Sequence, residues 1–213
     1  MIRTIISNEL LTALLVIGLI IVAIGKAVAP KRFEDFLFVI ENDKYLKIYS
    51  RDQKFIDAFD ILLFINLILS LAVFCYQFIQ TATNTVNLSN TILLKLSIGL
   101  ACFILIKAFF ERLIARVFNI EKLIDAYVFQ KISYKYFLGI LLLPVNAFIL
   151  YAFKPSISVF YAIVILFILV NTVSFINFFK THQTLLKNNL FYFILYLCAL
   201  EIAPYVILYK VCF

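Results

Sequence analysis

Six long apolar stretches, separated by short polar segments, dominate the hydrophobic pattern of the chain. A helix needs about 20 apolar residues to cross a hydrocarbon core of about 30 Å, whereas barrel strands alternate apolar and polar residues. The pattern therefore predicts an all-α membrane protein, a six-transmembrane-helix bundle with interfacial amphipathic helices on the cytoplasmic side. The expected spans, within a single transmembrane domain over 1–213, are about 10–29, 57–80, 91–111, 136–153, 159–179 and 190–209.

Composition supports a membrane location and argues against a nucleic-acid partner. The chain is 65% hydrophobic and 15% charged, whereas a soluble domain has about a quarter of its residues charged. Its net charge is +7, but the basic residues flank apolar stretches and form no dense run. We expect the lipid bilayer, and no nucleic acid, to be a partner.

Basic residues sit in alternate gaps between the apolar stretches, which predicts the orientation of the chain. Residues 26–54 hold seven Lys and Arg, 112–135 hold five and 180–187 hold two, of 19 in all. Because cytoplasmic loops are enriched in Lys and Arg, these gaps should face the cytoplasm, with both termini non-cytoplasmic. The first stretch is predicted to be a retained span, since Lys26 interrupts it and Pro30 would follow a cleavage site.

Two cytoplasmic segments have amphipathic character. Ile120, Leu123, Ile124, Tyr127 and Val128 recur at helical spacing, and the segment 31–54 mixes aromatic residues with both charge signs. Such faces either pack at the membrane surface or dock on another protein. We expect a protein partner at 31–54 and 118–132, with surface packing as the alternative.

Glu201 is the most costly residue of the last apolar stretch. Carboxylates at this depth are rare and usually face the bundle interior, and Pro204 removes one helix hydrogen bond beside it. Lys107 leans toward the membrane centre from the third stretch, so we hypothesise a Lys107–Glu201 link. Glu111, one turn beyond Lys107, is a competing partner. Glu201 is thus a binding or proton site, or a buried structural acid.

Asn146 and Asn171 also lie within apolar stretches, as do Ser174 and Asn177. Amides inside bundles commonly bond across helices. The alternative is that Asn146 and Asn171 converge on Glu201 around a polar cavity near the midplane.

No established catalytic or metal-binding motif occurs in the sequence. Asp57 and Asp60 precede the second apolar stretch, where acids favour a helix N-terminus, although an Asp-x-x-Asp pair can also hold Mg²⁺ against a phosphate. The four cysteines and the single His182 lack metal-ligand spacing. We therefore expect no metal site, no catalytic residues and no cofactor.

The segment Tyr196 to Lys210, which contains Leu-Glu-Ile-Ala-Pro, resembles the ending of a family of uncharacterised bacterial multi-spanning inner-membrane proteins. In that family a Leu-Glu-Ile-x-Pro element closes the last span. The resemblance implies location in the bacterial inner (cytoplasmic) membrane and a role for Glu201 and Pro204. It also implies a link to polyprenyl-phosphate sugar metabolism, and no established activity.

Three function classes remain open. The first is a non-catalytic anchor or scaffold subunit of a membrane complex, favoured by the cytoplasmic segments and the shortage of catalytic groups. The second is a transporter or flippase for a small or lipid-linked substrate, using a midplane polar site around Glu201. The third is a membrane enzyme acting on a lipid through Asp57, Asp60 or Glu201.

Overall fold

The computed structural model describes residues 9–39, 44–49, 57–83, 90–117, 121–151 and 156–181. All regular secondary structure in these residues is α-helical. The helices are α1 (Glu9–Val28), α2 (Pro30–Leu37), α3 (Lys44–Tyr49), α4 (Ala58–Thr83), α5 (Asn90–Val117), α6 (Glu121–Tyr151) and α7 (Ile157–Thr181).

Five of these helices, α1 and α4 to α7, are long and apolar enough to cross a membrane. This supports the expectation of a multi-pass membrane protein. Helices α1, α4 and α7 begin and end within a few residues of the expected spans, and α5 continues to Val117, beyond its expected end. The expected sixth span, 190–209, lies outside the described residues.

Helix α6 begins earlier than the expected fourth span. The described part of the amphipathic segment 118–132 is continuous with the expected span at 136–153, because both belong to α6. No glycine or proline interrupts α6 before Gly139. The Lys131 ammonium lies 2.7 Å from the Glu111 carboxylate of α5, and the two side chains are 13% and 3% exposed. Lys131, which interrupts the apolar pattern of the sequence, is therefore paired with a carboxylate on the neighbouring helix.

Helices α4 and α6 form the centre of the bundle, and their mutual contact is the most extensive in the described structure. Helix α1 packs on α4, while α5 and α7 flank the central pair and expose most of their apolar side chains. Helix α7 runs antiparallel to α6, since Phe178 packs near Tyr127 and Phe160 near Ile149. Lipid-facing apolar surface on the flanking helices is the expected arrangement within a bilayer.

The central pair approaches closely because a glycine removes a side chain from the contact. A Cβ atom on Gly139 of α6 would lie 3.0 Å from the Cα atom of Leu67 on α4. Small residues at helix interfaces let backbones come together in membrane proteins. This contact lets the backbones of α4 and α6 pack closely against each other.

The short helices α2 and α3 fold back against α4 and α6 through aromatic side chains. Pro30 opens α2, where its fixed φ suits the first helical turn. Phe36 is fully buried, and its ring centroid lies 5.5 Å from Tyr45 and 6.0 Å from Phe59 in edge-to-face geometry. Tyr45 in turn stacks on Phe129 of α6 at 5.8 Å. These contacts hold α2 and α3 beneath one end of the bundle.

Candidate functional site

A cavity of about 800 Å³ opens at this end of the bundle. Helices α4, α5 and α6 supply most of its wall, and α2 and α3 contribute one residue each, Arg32 and Tyr49. Ligand sites in proteins commonly have volumes of 300–1,000 Å³ and combine apolar walls with a few placed polar groups. The cavity therefore has the size and setting of a small-molecule or lipid site.

One polar wall of the cavity is built around Arg32. Its guanidinium donates hydrogen bonds to Asp57 at 2.8 Å and to both carboxylate oxygens of Asp60 at 3.0 and 2.9 Å. Asp57 and Asp60 stand at the start of α4, where the Asp57 carbonyl accepts a bond from Ile61 at 3.1 Å. The expected helix-start position of both acids is confirmed, and each has a second role in holding α2 against α4.

Two aromatic rings fix the position of Arg32 further. The guanidinium carbon lies 5.1 Å from the Tyr49 ring centroid and 4.9 Å from that of Phe59, within cation–π range. Burial acts to lower the pKa of Arg32, but interactions with Tyr45 and Asp60 raise this pKa above its ordinary value. Burial also raises the pKa of Tyr45 to about 12. Arg32 therefore stays charged and Tyr45 neutral at physiological pH.

The helices α5 and α6 contribute further cationic and hydroxyl groups to the lining. Arg112 comes from α5, and Ser133, Lys135 and Tyr136 come from α6. Ser133 donates its hydroxyl proton to the Phe129 carbonyl at 2.9 Å, so its oxygen is oriented to accept. The lining carries three cationic groups and two carboxylates, which leaves a net positive charge.

Much of the remaining lining is apolar, and part of it extends from the charged groups toward the interior of the bundle. Phe64 and Leu67 follow Asp60 along α4, and Leu105 and Ala108 precede Arg112 along α5. Because these helices rise 1.5 Å per residue, the apolar part extends roughly 12 Å from the charged level. Leu105 is 57% exposed on the outer surface of α5, so the apolar part borders the lipid-facing surface.

Asn146 and Lys107, both predicted as site residues, are buried but do not line this cavity. Asn146 packs in the α4–α6 contact, where its side-chain amide donates to the Ser70 carbonyl at 2.9 Å and its backbone carbonyl accepts from Gln77 at 3.3 Å. Lys107 is 8% exposed on α5, and Glu111, one turn further, bonds Lys131. Asn146 thus bonds across helices.

Asn171 lies on an exposed part of α7 and bonds within its own helix, to the Phe167 carbonyl at 2.8 Å. Ser174 is buried, and its carbonyl accepts from Gln130 of α6 at 2.9 Å. Asn146 and Asn171 are therefore not brought together by the described helices. Glu201 and Pro204, and with them the hypothesised Lys107–Glu201 link, lie outside the described residues.

The apolar faces of both amphipathic segments pack inside the fold. Phe33 and Phe36 of α2 are buried against α3, α4 and α6. In the other segment, Ile124 and Val128 are buried in a cluster with Ala115 of α5 and Phe178 of α7. Docking of a partner on these segments stays a prediction, and it would involve their outward residues.

Sequence reasoning missed Arg32, Arg112 and Lys135 as site residues, because Lys and Arg beside an apolar span are usual topology signals. The signal that was available is the spacing of Asp57 and Asp60, which share one helical face and need a counter-charge when partly buried. Among the described residues, no group of three or more His, Cys, Asp or Glu side chains is arranged to hold a metal ion.

Comparison with known proteins identifies the family of the chain. A family model described as a domain of unknown function (DUF4271) matches residues 11–212, and the chain belongs to this family. The expectation of an uncharacterised family is thereby confirmed. No curated protein and no solved structure is significantly similar to the chain.

Proposed function

We propose that this protein is a transporter or flippase that holds a small or lipid-linked substrate in the cavity between α4, α5 and α6. The observation that carries the proposal is the lining, which joins a charged level to an apolar part bordering the lipid-facing surface. A structural bundle would gain by filling such a space with side chains, because packed interiors leave few large voids.

The proposed topology has six spans in a bacterial inner membrane, with 190–209 as the sixth and both termini non-cytoplasmic. Arg32, Arg112 and Lys135 stand at the same end of the bundle as the cavity. The positive-inside rule supports a cytoplasmic location for this end. Cysteine labelling from each side of oriented vesicles at Lys31→Cys and Ala82→Cys, in a background without native cysteines, would reveal the orientation.

The cavity itself is tested by filling it. Ala108 lines the cavity on α5, so Ala108→Phe should displace a bound chain, while Ala162→Phe adds the same ring to an exposed position on α7. Each variant, in phosphatidylcholine nanodiscs, is incubated with dodecanol and analysed by native mass spectrometry. We expect bound dodecanol in the wild type and Ala162→Phe, and a loss of at least fivefold in Ala108→Phe.

Equal retention of dodecanol by wild type and Ala108→Phe would overturn the proposal. Ala108→Leu, a smaller filling variant, replaces Ala108→Phe if the larger ring prevents folding. Gel filtration as a single symmetric peak establishes that each variant is folded before the binding comparison is made.

An anchor or scaffold role in a membrane complex, with the expected link to polyprenyl-phosphate sugar metabolism, is the second candidate. The observation that favours it is the exposure of three apolar side chains on and beside α2 and α3, those of Leu37, Phe38 and Ile48. Cross-linking in native membranes should recover a partner from wild type and much less from Phe38→Ser. Identical recovery from both would remove this surface from consideration.

A further inference from the structure

We infer that the ligand of the cavity is an amphiphile with an uncharged, hydrogen-bonding head group, whose alkyl chain lies against the apolar lining that includes Phe64 and Leu105. This inference rests on the proposed function, because it names the ligand class of the same cavity. It follows from the partners of the charged lining groups, from the presence of both charge signs near one hydroxyl, and from the apolar surface that borders lipid.

The carboxylates of the lining are already bonded to a cation. Asp57 and Asp60 both accept hydrogen bonds from Arg32, at 2.8, 3.0 and 2.9 Å. A cationic head group that reached either carboxylate would therefore also meet the Arg32 guanidinium, and an anionic head group that reached Arg32 would meet both carboxylates. The rings of Tyr49 and Phe59 hold the guanidinium in this place, so neither sign of charge finds a counter-charge of its own here.

The cationic lining groups on α5 and α6 have partners as well. Arg112 interacts electrostatically with the carboxylates of Asp125 and Glu111, and Lys135 is also engaged by another residue of the chain. Asp125 does not line the cavity, but its negative charge offsets the excess of cations over carboxylates in the lining. Because the fold itself supplies these partners, a ligand does not need to bring a counter-charge.

Both charge signs act on a single hydroxyl of the lining. Tyr136 is a buried lining residue of α6, and it interacts electrostatically with Asp60, Arg112 and Arg32. A charged head group close to this hydroxyl would be attracted by one sign and repelled by the other. Since removing a charge from water is costly without a counter-charge, the lining disfavours anions and cations alike.

An uncharged head group can still be held by hydrogen bonds. Ser133 lines the cavity and donates its own proton to the Phe129 carbonyl at 2.9 Å, which leaves its oxygen as an acceptor for a ligand hydroxyl. The Tyr136 hydroxyl can donate or accept. A hydroxyl head group loses far less hydration energy than an ion when it enters such a site.

The apolar part of the lining suits an alkyl chain. Phe64 and Ile61 of α4 and Ile104 and Leu105 of α5 all contribute to it. Ile61 and Leu105 are also exposed on the outside of the described structure, so this part of the lining reaches the lipid-facing surface. An uncharged amphiphile dissolved in the bilayer can therefore enter sideways without carrying a charge through hydrocarbon.

Competition between amphiphiles of equal chain length tests the class of ligand. The protein in phosphatidylcholine nanodiscs is loaded with deuterated dodecanol, and its bound fraction is measured by native mass spectrometry. Unlabelled dodecanol, dodecyl phosphate or dodecyltrimethylammonium is then added to the same mole fraction in the lipid. We expect dodecanol to displace the deuterated dodecanol at least tenfold more effectively than either ion does.

A charge change in the lining gives a second test of the same inference. Asp57→Asn removes one of the two carboxylates bonded to Arg32, so dodecyl phosphate should displace dodecanol from this variant more effectively than from the wild type. The matched control Glu34→Gln removes an exposed carboxylate of α2 that is outside the lining, and it should behave as the wild type does. The wild-type competition needs no substitution, so it decides the inference even if Asp57→Asn does not fold.

The outcomes separate this inference from the proposed function. Displacement by either ion as effective as that by dodecanol would overturn the uncharged class, while a dodecanol signal sensitive to Ala108→Phe would still support the proposed function. A dodecanol signal that is insensitive to Ala108→Phe would overturn both. Glycerol tests whether the chain is recognised, because displacement by glycerol at the same concentration as dodecanol would overturn the amphiphile class.

Discussion

Asp60 accepts two hydrogen bonds from a single guanidinium nitrogen of Arg32, at 3.0 and 2.9 Å. Asp57 accepts one bond, from the other terminal nitrogen. The Asp60 side chain is 27% exposed and that of Asp57 is 40% exposed. The two acids therefore hold the same cation but contribute unequally to the contact between α2 and α4.

Asp60→Asn should lower the thermal unfolding temperature more than Asp57→Asn does. Loss of a charge-assisted hydrogen bond at a partly buried site costs about 1–3 kcal/mol, and solvent screens the more exposed pair. Circular dichroism of both variants in the same detergent gives the comparison. An equal or larger loss for Asp57→Asn would contradict the unequal roles.

Gly139→Ala should destabilise the protein, because the added methyl group meets the Leu67 backbone at 3.0 Å. Overpacking of this kind typically costs 1–3 kcal/mol. The matched control is Gly99→Ala on α5, where no atom lies within 4 Å of the new Cβ. Helix propensity there favours alanine by about 1 kcal/mol, so Gly99→Ala should unfold at the same or a higher temperature. A Gly139→Ala protein as stable as the Gly99→Ala control would argue against close approach of α4 and α6.

The Glu111–Lys131 pair should show strong coupling in a double-mutant cycle. Lys131→Met alone leaves the Glu111 carboxylate buried without its ammonium, whereas Glu111→Gln/Lys131→Met removes both charges. The Tyr127 ring near Lys131 loses the same contact in both Lys131 backgrounds, so this effect cancels. Coupling of about 1–3 kcal/mol is expected in unfolding free energy, and purely additive changes would show that the pair contributes nothing.

Two buried asparagines should respond differently to replacement by leucine. Asn146 donates to the Ser70 carbonyl, and Asn146→Leu should cost about 0.6 kcal/mol from this bond. Neither side-chain amide atom of Asn66 has a hydrogen-bond partner among the described residues, so Asn66→Leu should be neutral or stabilising, because buried polar groups without partners are costly. Denaturant titration of the two variants measures the difference. A larger loss for Asn66→Leu than for Asn146→Leu would contradict this prediction.

Most of the span pattern was predictable because lipid imposes a simple requirement on sequence. A helix that crosses the bilayer must satisfy its own backbone and expose apolar side chains, and α1, α4 and α7 match the expected stretches closely. The start of α6 was not predictable from hydropathy. Lys131 and Lys135 interrupt the apolar pattern. A continuous helix tolerates them because Lys131 pairs with the Glu111 carboxylate and Lys135 lines the cavity, and only the tertiary structure shows this.

By itself, the sequence determined that this chain is helical and multi-spanning, with basic residues in alternate gaps between its apolar stretches. Each of these properties depends on residues that are close together along the chain. The tertiary structure alone decided which charges meet. Arg32 and Asp60 are separated by 28 positions, and Arg112 and Lys135 come from different helices. Coulombic pairing and cavity shape depend on distances between helices, which are set by packing at contacts such as Gly139 on Leu67. The physical reason is that hydropathy acts residue by residue, whereas a site is made by side chains that converge in space.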